Sequence, residues 1–314
     1  MVTQTASQPT THYAPTDIPG DLLTYDALLK SPLYAGQLSE VRRLGSAHST
    51  ERSAEQTRIA FFWANDLNGT YKPPGQLYPI TQDVAKKQKT MNGPEGLLET
   101  ARLFAMVGTA MVNASIVAWR AKYDHPKTTP LRLWRPESAI QSAATGADPG
   151  WQPLSAMMTG VRFSPNFPAY VSGHSTFGAA HAAAMKAFFR TDNIAYTATT
   201  EDPHAARDEN GVLRTRSFTS FSQAALENGR SRVYLGGHYQ FDASGGYDIG
   251  TRVGRDTAAR FKETPADYAG DGGGPLTQPM PGAVRPAAAG AYPRTWATHA
   301  TNGTLLSPTK PRPA

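Results

Sequence analysis

SRVYLGGHYQFD, Ser231–Asp242, sets an arginine six residues before a histidine and an aspartate four residues after it. If Gly236–Gly237 opens a helix, His238 and Asp242 fall on one face at the i, i+4 spacing. Asp242 then accepts the Nδ1–H of His238, which fixes the tautomer and aims the Nε2 lone pair outward. Arg232 adds a forked donor suited to oxyanion oxygens. A His/Asp pair at this spacing also occurs as a plain structural contact, so the stretch acquires meaning only from its partners.

Two other segments supply them. AWRAKYDHPKTTPLRLWRPESAI, residues 118–140, carries Lys122, Lys127, Arg132 and Arg135. FPAYVSGHSTFGAAHAAAM, residues 167–185, carries Ser172-Gly173-His174 at a predicted helix start. A helix start offers free N–H groups and a favourable dipole to an anion. Ser172 can donate its hydroxyl, Gly173 permits close backbone approach, and His174 stands beside the anion as an acid or base. Two histidines, two arginines, a lysine and a helix start make joint sense as a tetrahedral oxyanion site.

In this order the segments resemble the three-part signature of the vanadium-dependent haloperoxidases. Those enzymes share fold and site with type 2 phosphatidic acid phosphatases and bacterial non-specific acid phosphatases. The likeness runs from FWANDLNGTYKPPG, Phe62–Gly75, to about Gly254. It implies an all-α helical bundle with long ordered loops and vanadate as cofactor, with His238 as its axial ligand. Lys122, Arg135 and Arg232 would neutralise the equatorial oxygens, and Ser172 and the Gly173 amide would hydrogen-bond them. His174 would deprotonate hydrogen peroxide, and Asp242 would orient His238. Trp119 and Phe167 match aromatic positions near the halide site of chloride-oxidising relatives.

Two positions depart from the pattern. The proline usual before Ser-Gly-His is Val171 here. The family lysine, normally seven residues before the arginine of Arg-Pro, falls on Thr128. Lys122 in Trp-Arg-Ala-Lys keeps the family's Trp-x-x-Lys spacing at a helix end, and Lys127 is the fallback. The implied activity is oxidation of halide by hydrogen peroxide to hypohalous acid, which halogenates an organic acceptor. Two alternatives remain open: an acid phosphatase acting through a phosphohistidine at His238, and a non-catalytic oxyanion-binding protein.

Composition narrows the field. The chain has 314 residues, no cysteine and a net charge of +6. Cysteine nucleophiles, disulfides and zinc–thiolate sites are thereby excluded. Residues 273–314 hold four of the surplus positive charges, and no clustered basic run suits nucleic acid. No secretory leader is visible. Leu103–Trp119 is apolar but 17 residues long and contains Asn113, short of the roughly 20 a membrane span needs, so it is expected as a buried core helix.

Helices are expected after Ser53, where Gln56 completes a capping box, and from Pro94 to about Lys122. Others are expected over STFGAAHAAAMKAFF, over SFSQAALENGRSRVYL, and from Gly237 to about Phe261. Lys127–Ser164 reads as an ordered loop system. His181, seven residues after His174 on the same helix, is expected to pack in the core, and His125 and His204 to be solvated. Residues 1–20 are expected as a flexible leader, 21–262 as the catalytic domain and 263–314 as a Pro/Gly/Ala-rich flexible tail. The chain is short for the family, and a missing upstream helical layer would expose core surface and favour oligomers.

Overall fold

The computed structural model describes residues 13, 22, 24–90, 92–93, 95–123, 133–145 and 148–268, with side chains described to 261. Nine α-helices and one strand pair occur among them. The helices are α1 (Tyr25–Leu29), α2 (Pro32–Leu44), α3 (Ala54–Ala64), α4 (Leu77–Lys87) and α5 (Gly96–Tyr123). They continue with α6 (Pro136–Gln141), α7 (Gly173–Phe189), α8 (Phe221–Tyr234) and α9 (Gln240–Tyr268). Strand is confined to β1 (Tyr196–Ala198) paired antiparallel with β2 (Arg216–Phe218), Tyr196 opposite Phe218. The fold is therefore all-α, as expected. Residues 1–265 form one compact unit; of residues 266–314, which form a second, only the helix end to Tyr268 is described. The leader, apart from Tyr13, and most of the tail thus lie outside the described residues, as do His125, Lys127, Thr128 and Arg132.

Local chemistry explains where the helices start. At α3 the Ser53 hydroxyl accepts from Gln56 N at 3.1 Å while Gln56 returns a bond to Ser53 N at 2.9 Å. Thr24, Ser31, Ser172 and Ser220 cap α1, α2, α7 and α8 in the same sense. The sequence reading contains no α1, α2, α4 or α6. Ser31-Pro32 was a legible start signal for α2. Within the expected loop system, the Arg-Pro at residues 135–136 opens α6 instead, because proline is pre-set for the first helical turn.

The centre of the molecule is the contact of α7 with α5, α8 and α9. Helix α7 is alanine-rich and buried over most of its length. On α9, Gly246, Gly250 and Gly254 form a four-residue repeat against it. A Cβ on these glycines would lie 2.6, 2.3 and 2.6 Å from the carbonyl oxygens of Ser172, Thr176 and Ala180, at the matching spacing on or beside α7. Gly178 and Gly229 do the same for α7 against α8, where a Cβ would meet Asn228 Nδ2 at 2.9 Å and Ser175 Oγ at 2.8 Å. Backbones at this distance hold the start of α7, the end of α8 and the start of α9 together. Gly250→Ala is expected to cost at least ~2 kcal/mol, because the opposing atom is backbone and cannot rotate away. Urea unfolding of the variant would measure it.

Helix α5 buries Leu103, Met106, Val107, Ala110, Ala114, Val117 and Ala118, as the core-helix reading required. By length and composition it is the one helix among the described residues apolar enough to cross a membrane. Leu98, Val112, Trp119 and Tyr123 on it are exposed.

Candidate active site

Helix α8 ends at Tyr234 with Leu235 as its cap, and Gly236 follows at φ +81°. Only glycine fits there: a Cβ would stand 2.4 Å from Gly45 O. The chain then turns through His238 and Tyr239 before α9 begins at Gln240. The helix expected from Gly237 begins three residues later, at Gln240, because the left-handed turn at Gly236 cannot initiate a helix. His238 and Asp242 still meet. Asp242 Oδ2 accepts His238 Nδ1 at 2.9 Å and Tyr239 N at 3.0 Å. One carboxylate in the first turn of α9 thus caps the helix and orients the imidazole. Ser172 N donates to Asp242 O at 2.8 Å, which ties the start of α7 to the same turn.

Three cationic side chains converge on this point, all buried. Arg135, held extended before Pro136, donates from Nε to Phe167 O and from Nη1 to Gly237 O, both at 2.9 Å. The same Nη1 lies 2.8 Å from His238 Nε2. Lys122, in the last turn of α5, is 0% exposed and donates to Pro168 O at 2.7 Å and Ala169 O at 3.0 Å. An ammonium has three N–H groups, so one is left for a further acceptor. Arg232, in the last turn of α8, donates from Nη2 to Asp66 Oδ2 at 2.8 Å.

His174, on the first turn of α7, places Nε2 3.1 Å from Ala64 O and 3.8 Å from Asp66 Oδ1. Donation to a carbonyl requires the proton on Nε2, which leaves the neutral ring's lone pair on Nδ1. The Ser172 hydroxyl accepts from Ser175 N as the cap of α7, so its own O–H is free to donate elsewhere. Trp119 and Phe167 stand side by side at 5.7 Å, with Lys122 Nζ 5.9 and 5.3 Å from the two rings. Arg135 Cζ lies 4.6 Å from Phe167. Trp119 also borders Gly173, where a Cβ would touch its ring at 3.4 Å.

The electrostatics follow from burial and crowding of like charge. Burial, then Arg135, Lys122, Arg232 and His174, push His238 well below the ordinary histidine range. Burial and Arg232 outweigh Asp66 and bring His174 down to about 4. Both imidazoles are neutral near pH 7 and can serve as ligand or base. Lys122 is held well below its usual value by burial and Arg135, against the pull of Asp242. Burial lowers Arg135 to about 10, against the raising effect of Asp242.

The described residues therefore bring together Lys122, Arg135, Ser172, Gly173, His174, Arg232, His238 and Asp242. The sequence reading missed Asp66. Burial alone would raise its pKa, but Arg232, His174 and Arg135 hold it below the usual carboxylate range. Asp66 follows Asn65, which takes a left-handed φ of 41° at the end of α3 and is pinned by Asp202 Oδ2 at 3.2 Å. The one available signal was its place inside Phe62–Gly75.

The cradle fits a four-oxygen anion. Nη2 of Arg135 and Nε and Nη1 of Arg232 are buried and find no hydrogen-bond partner. Buried guanidinium N–H groups rarely remain so, and a polyoxo anion would satisfy them.

A family model for the second helical-bundle domain of vanadium chloroperoxidase matches residues 102–266, more than half of the chain. The chain belongs to the vanadium-dependent haloperoxidase family. Among members of that family, the vanadium chloroperoxidase of Curvularia inaequalis is 31% identical over 240 residues, 64% of this chain and 38% of that protein. The crystal structure of the first bacterial vanadium-dependent iodoperoxidase superposes with a TM-score of 0.56 at 26% identity, covering 81% of this chain and 53% of that one. A holo-type bacterial vanadium-dependent chloroperoxidase shares the fold at TM-score 0.56 and 17% identity, covering 81% and 52%. The chain thus spans 38% of the curated haloperoxidase and about half of the solved ones.

Two histidines lie outside the cradle. His204 is half-buried, not solvated: it contacts the Phe61 ring at 5.4 Å, with Nε2 2.9 Å from Met157 O. His181 packs in the core, with Nε2 3.0 Å from Thr81 Oγ1. Burial lowers it to about 4, so the unfolded chain takes up its proton first. Stability from this group is complete above about pH 6.5 and drains as pH falls towards 4, by about 1.4 kcal/mol per pH unit. Urea unfolding between pH 7 and 4 should show this slope, reduced in His181→Gln.

Proposed function

We propose that the protein is a vanadate-dependent haloperoxidase that uses hydrogen peroxide to oxidise halide to hypohalous acid or an equivalent halogenating species. The observation that carries the reading is a buried, neutral His238, fixed at Nδ1 by Asp242 and faced by Lys122 and by two arginines with unpartnered N–H groups. When bound, vanadate supplies a Lewis acid that activates peroxide without itself changing oxidation state.

This chain's residues do the rest. His238 would hold the group through Nε2, and Arg135, whose Nη1 lies 2.8 Å from that nitrogen, would donate to the anion's oxygens. Arg232 and Lys122 share the remaining charge, and the Ser172 hydroxyl and Gly173 amide complete the hydrogen bonds. His174 takes the proton of incoming peroxide on Nδ1. Asp66 holds Arg232 in place and steadies the His174 ring beside it. Trp119 and Phe167 form the halide's approach, where the nearby ammonium of Lys122 favours an anion.

The test is bromination of a phenol-type acceptor by the purified protein with peroxide and bromide, before and after addition of vanadate. Vanadate-dependent bromination supports the reading. Phosphate-ester hydrolysis inhibited by vanadate, with no bromination, would replace it with the phosphatase reading. Anion binding with neither activity would leave a binding protein.

A further inference from the structure

We infer that Met157 and Met158 are oxidation sites, the first of the described methionines to be oxidised by hypohalous acid released from the site. The inference rests on the haloperoxidase reading for the source of the oxidant. Met157 and Met158 are 42% and 65% exposed, whereas Met106, Met111 and Met185 are buried at 0–3%. With no cysteine in the chain, thioethers are its softest nucleophiles.

Their position is set by a hairpin tied to the site at both ends. Ser155 N donates to Leu235 O at 3.1 Å, one residue before the Gly236 turn that leads to His238. At the other end Phe167 O accepts Nε of Arg135. Between them Ala156 bridges Arg162, Met157 N donates to Val161 O at 2.8 Å, and Gly160 closes the turn at φ +82°. Met157 O is held by His204, whose own N–H reaches Asp202 Oδ1 at 2.9 Å. Asp202 in turn holds the backbone of Asn65, next to Asp66. A surface turn ordinarily favours polar residues. This one exposes Met158 and a 63% exposed Val161.

The chemistry balances without a further reactant. Hypobromous acid transfers its oxygen to the thioether sulfur. The sulfur loses two electrons and becomes the sulfoxide, while bromine is reduced to bromide and one proton is released. A thioether here consumes oxidant that would otherwise reach the exposed rings of Trp119 and Trp134.

Peptide mass spectrometry tests this in two arms. Full-length protein is treated with sub-stoichiometric hypobromous acid, and separately with vanadate, peroxide and bromide while acceptor bromination is followed. Sulfoxide at Met157 and Met158 is expected first in both arms, at least ten-fold above Met106, Met111 and Met185. In the turnover arm it should depend on bromide. Met157→Leu/Met158→Leu should keep the initial bromination rate within two-fold, lose activity several-fold faster during turnover, and gain oxidation at Trp119 or Trp134. Reagent that modifies the tryptophans before the methionines overturns the inference. So does turnover that brominates the acceptor and leaves both methionines intact. Failure of acceptor bromination, with the reagent still oxidising the pair, instead overturns the haloperoxidase reading and upholds the reactivity of the pair.

Discussion

His238→Ala is expected to lower vanadate-dependent bromination by roughly 1,000-fold or more, the scale seen when a preorganised group at the reacting centre is removed. On the proposed reading this imidazole is the one whose Nε2 faces the anion site while Asp242 fixes its Nδ1. The fold should survive, because Asp242 still accepts Tyr239 N and caps α9. Equilibrium dialysis against vanadate separates the two possible sources of loss. Binding should fall together with activity, whereas unchanged binding would show that His238 is not the ligand. Asp242→Asn should be milder, about 10–100-fold. An amide caps the helix less well beside its positive end and, unlike the carboxylate, leaves the His238 tautomer unspecified.

Asp66→Ala is expected to destabilise the protein by about 3–5 kcal/mol, the cost of leaving one partner of a buried ion pair alone. Arg232 is 2% exposed and has its Nη2 bond only to this carboxylate. Asp66 itself is about one-fifth exposed, so the lower end of that range applies. Thermal unfolding checks the size. Vanadate or phosphate should recover more stability in the variant than in the parent, because the anion then supplies the only counter-charge to Arg232. A variant as stable as the parent, with no added response to anion, would remove Asp66 from the site. Because Asp66 is held below the usual carboxylate range, its contribution is complete above about pH 4 and is lost as pH falls further, so the gap between parent and variant should narrow below about pH 4.

Much of this was legible in the residues. The capping box at Ser53, the helix start at Ser172 and the apolar face of α5 are local signals, and local signals survive translation into a fold. The pairing of His238 with Asp242 was also readable, although its cause was misjudged: the two residues meet across a helix entrance and not along a helix face. Spacing alone favours Lys122 over Lys127, which lies outside the described residues. The burial of Lys122 against Pro168 and Ala169, under Phe167, is what makes that choice physically coherent.

Asp66 shows the limit. Beyond its place inside Phe62–Gly75 nothing on the chain marks it, since its partner Arg232 lies 166 residues away. The sequence by itself determined that the protein is helical, lacks thiol chemistry, and carries two imidazoles and three cations in an order that suits an oxyanion. Only the tertiary structure decided that those charges stand together. It does so through α7, α8 and α9, whose glycines let backbones approach to distances that no other residue allows. That is a property of surfaces in contact, and a single strand of residues cannot express it.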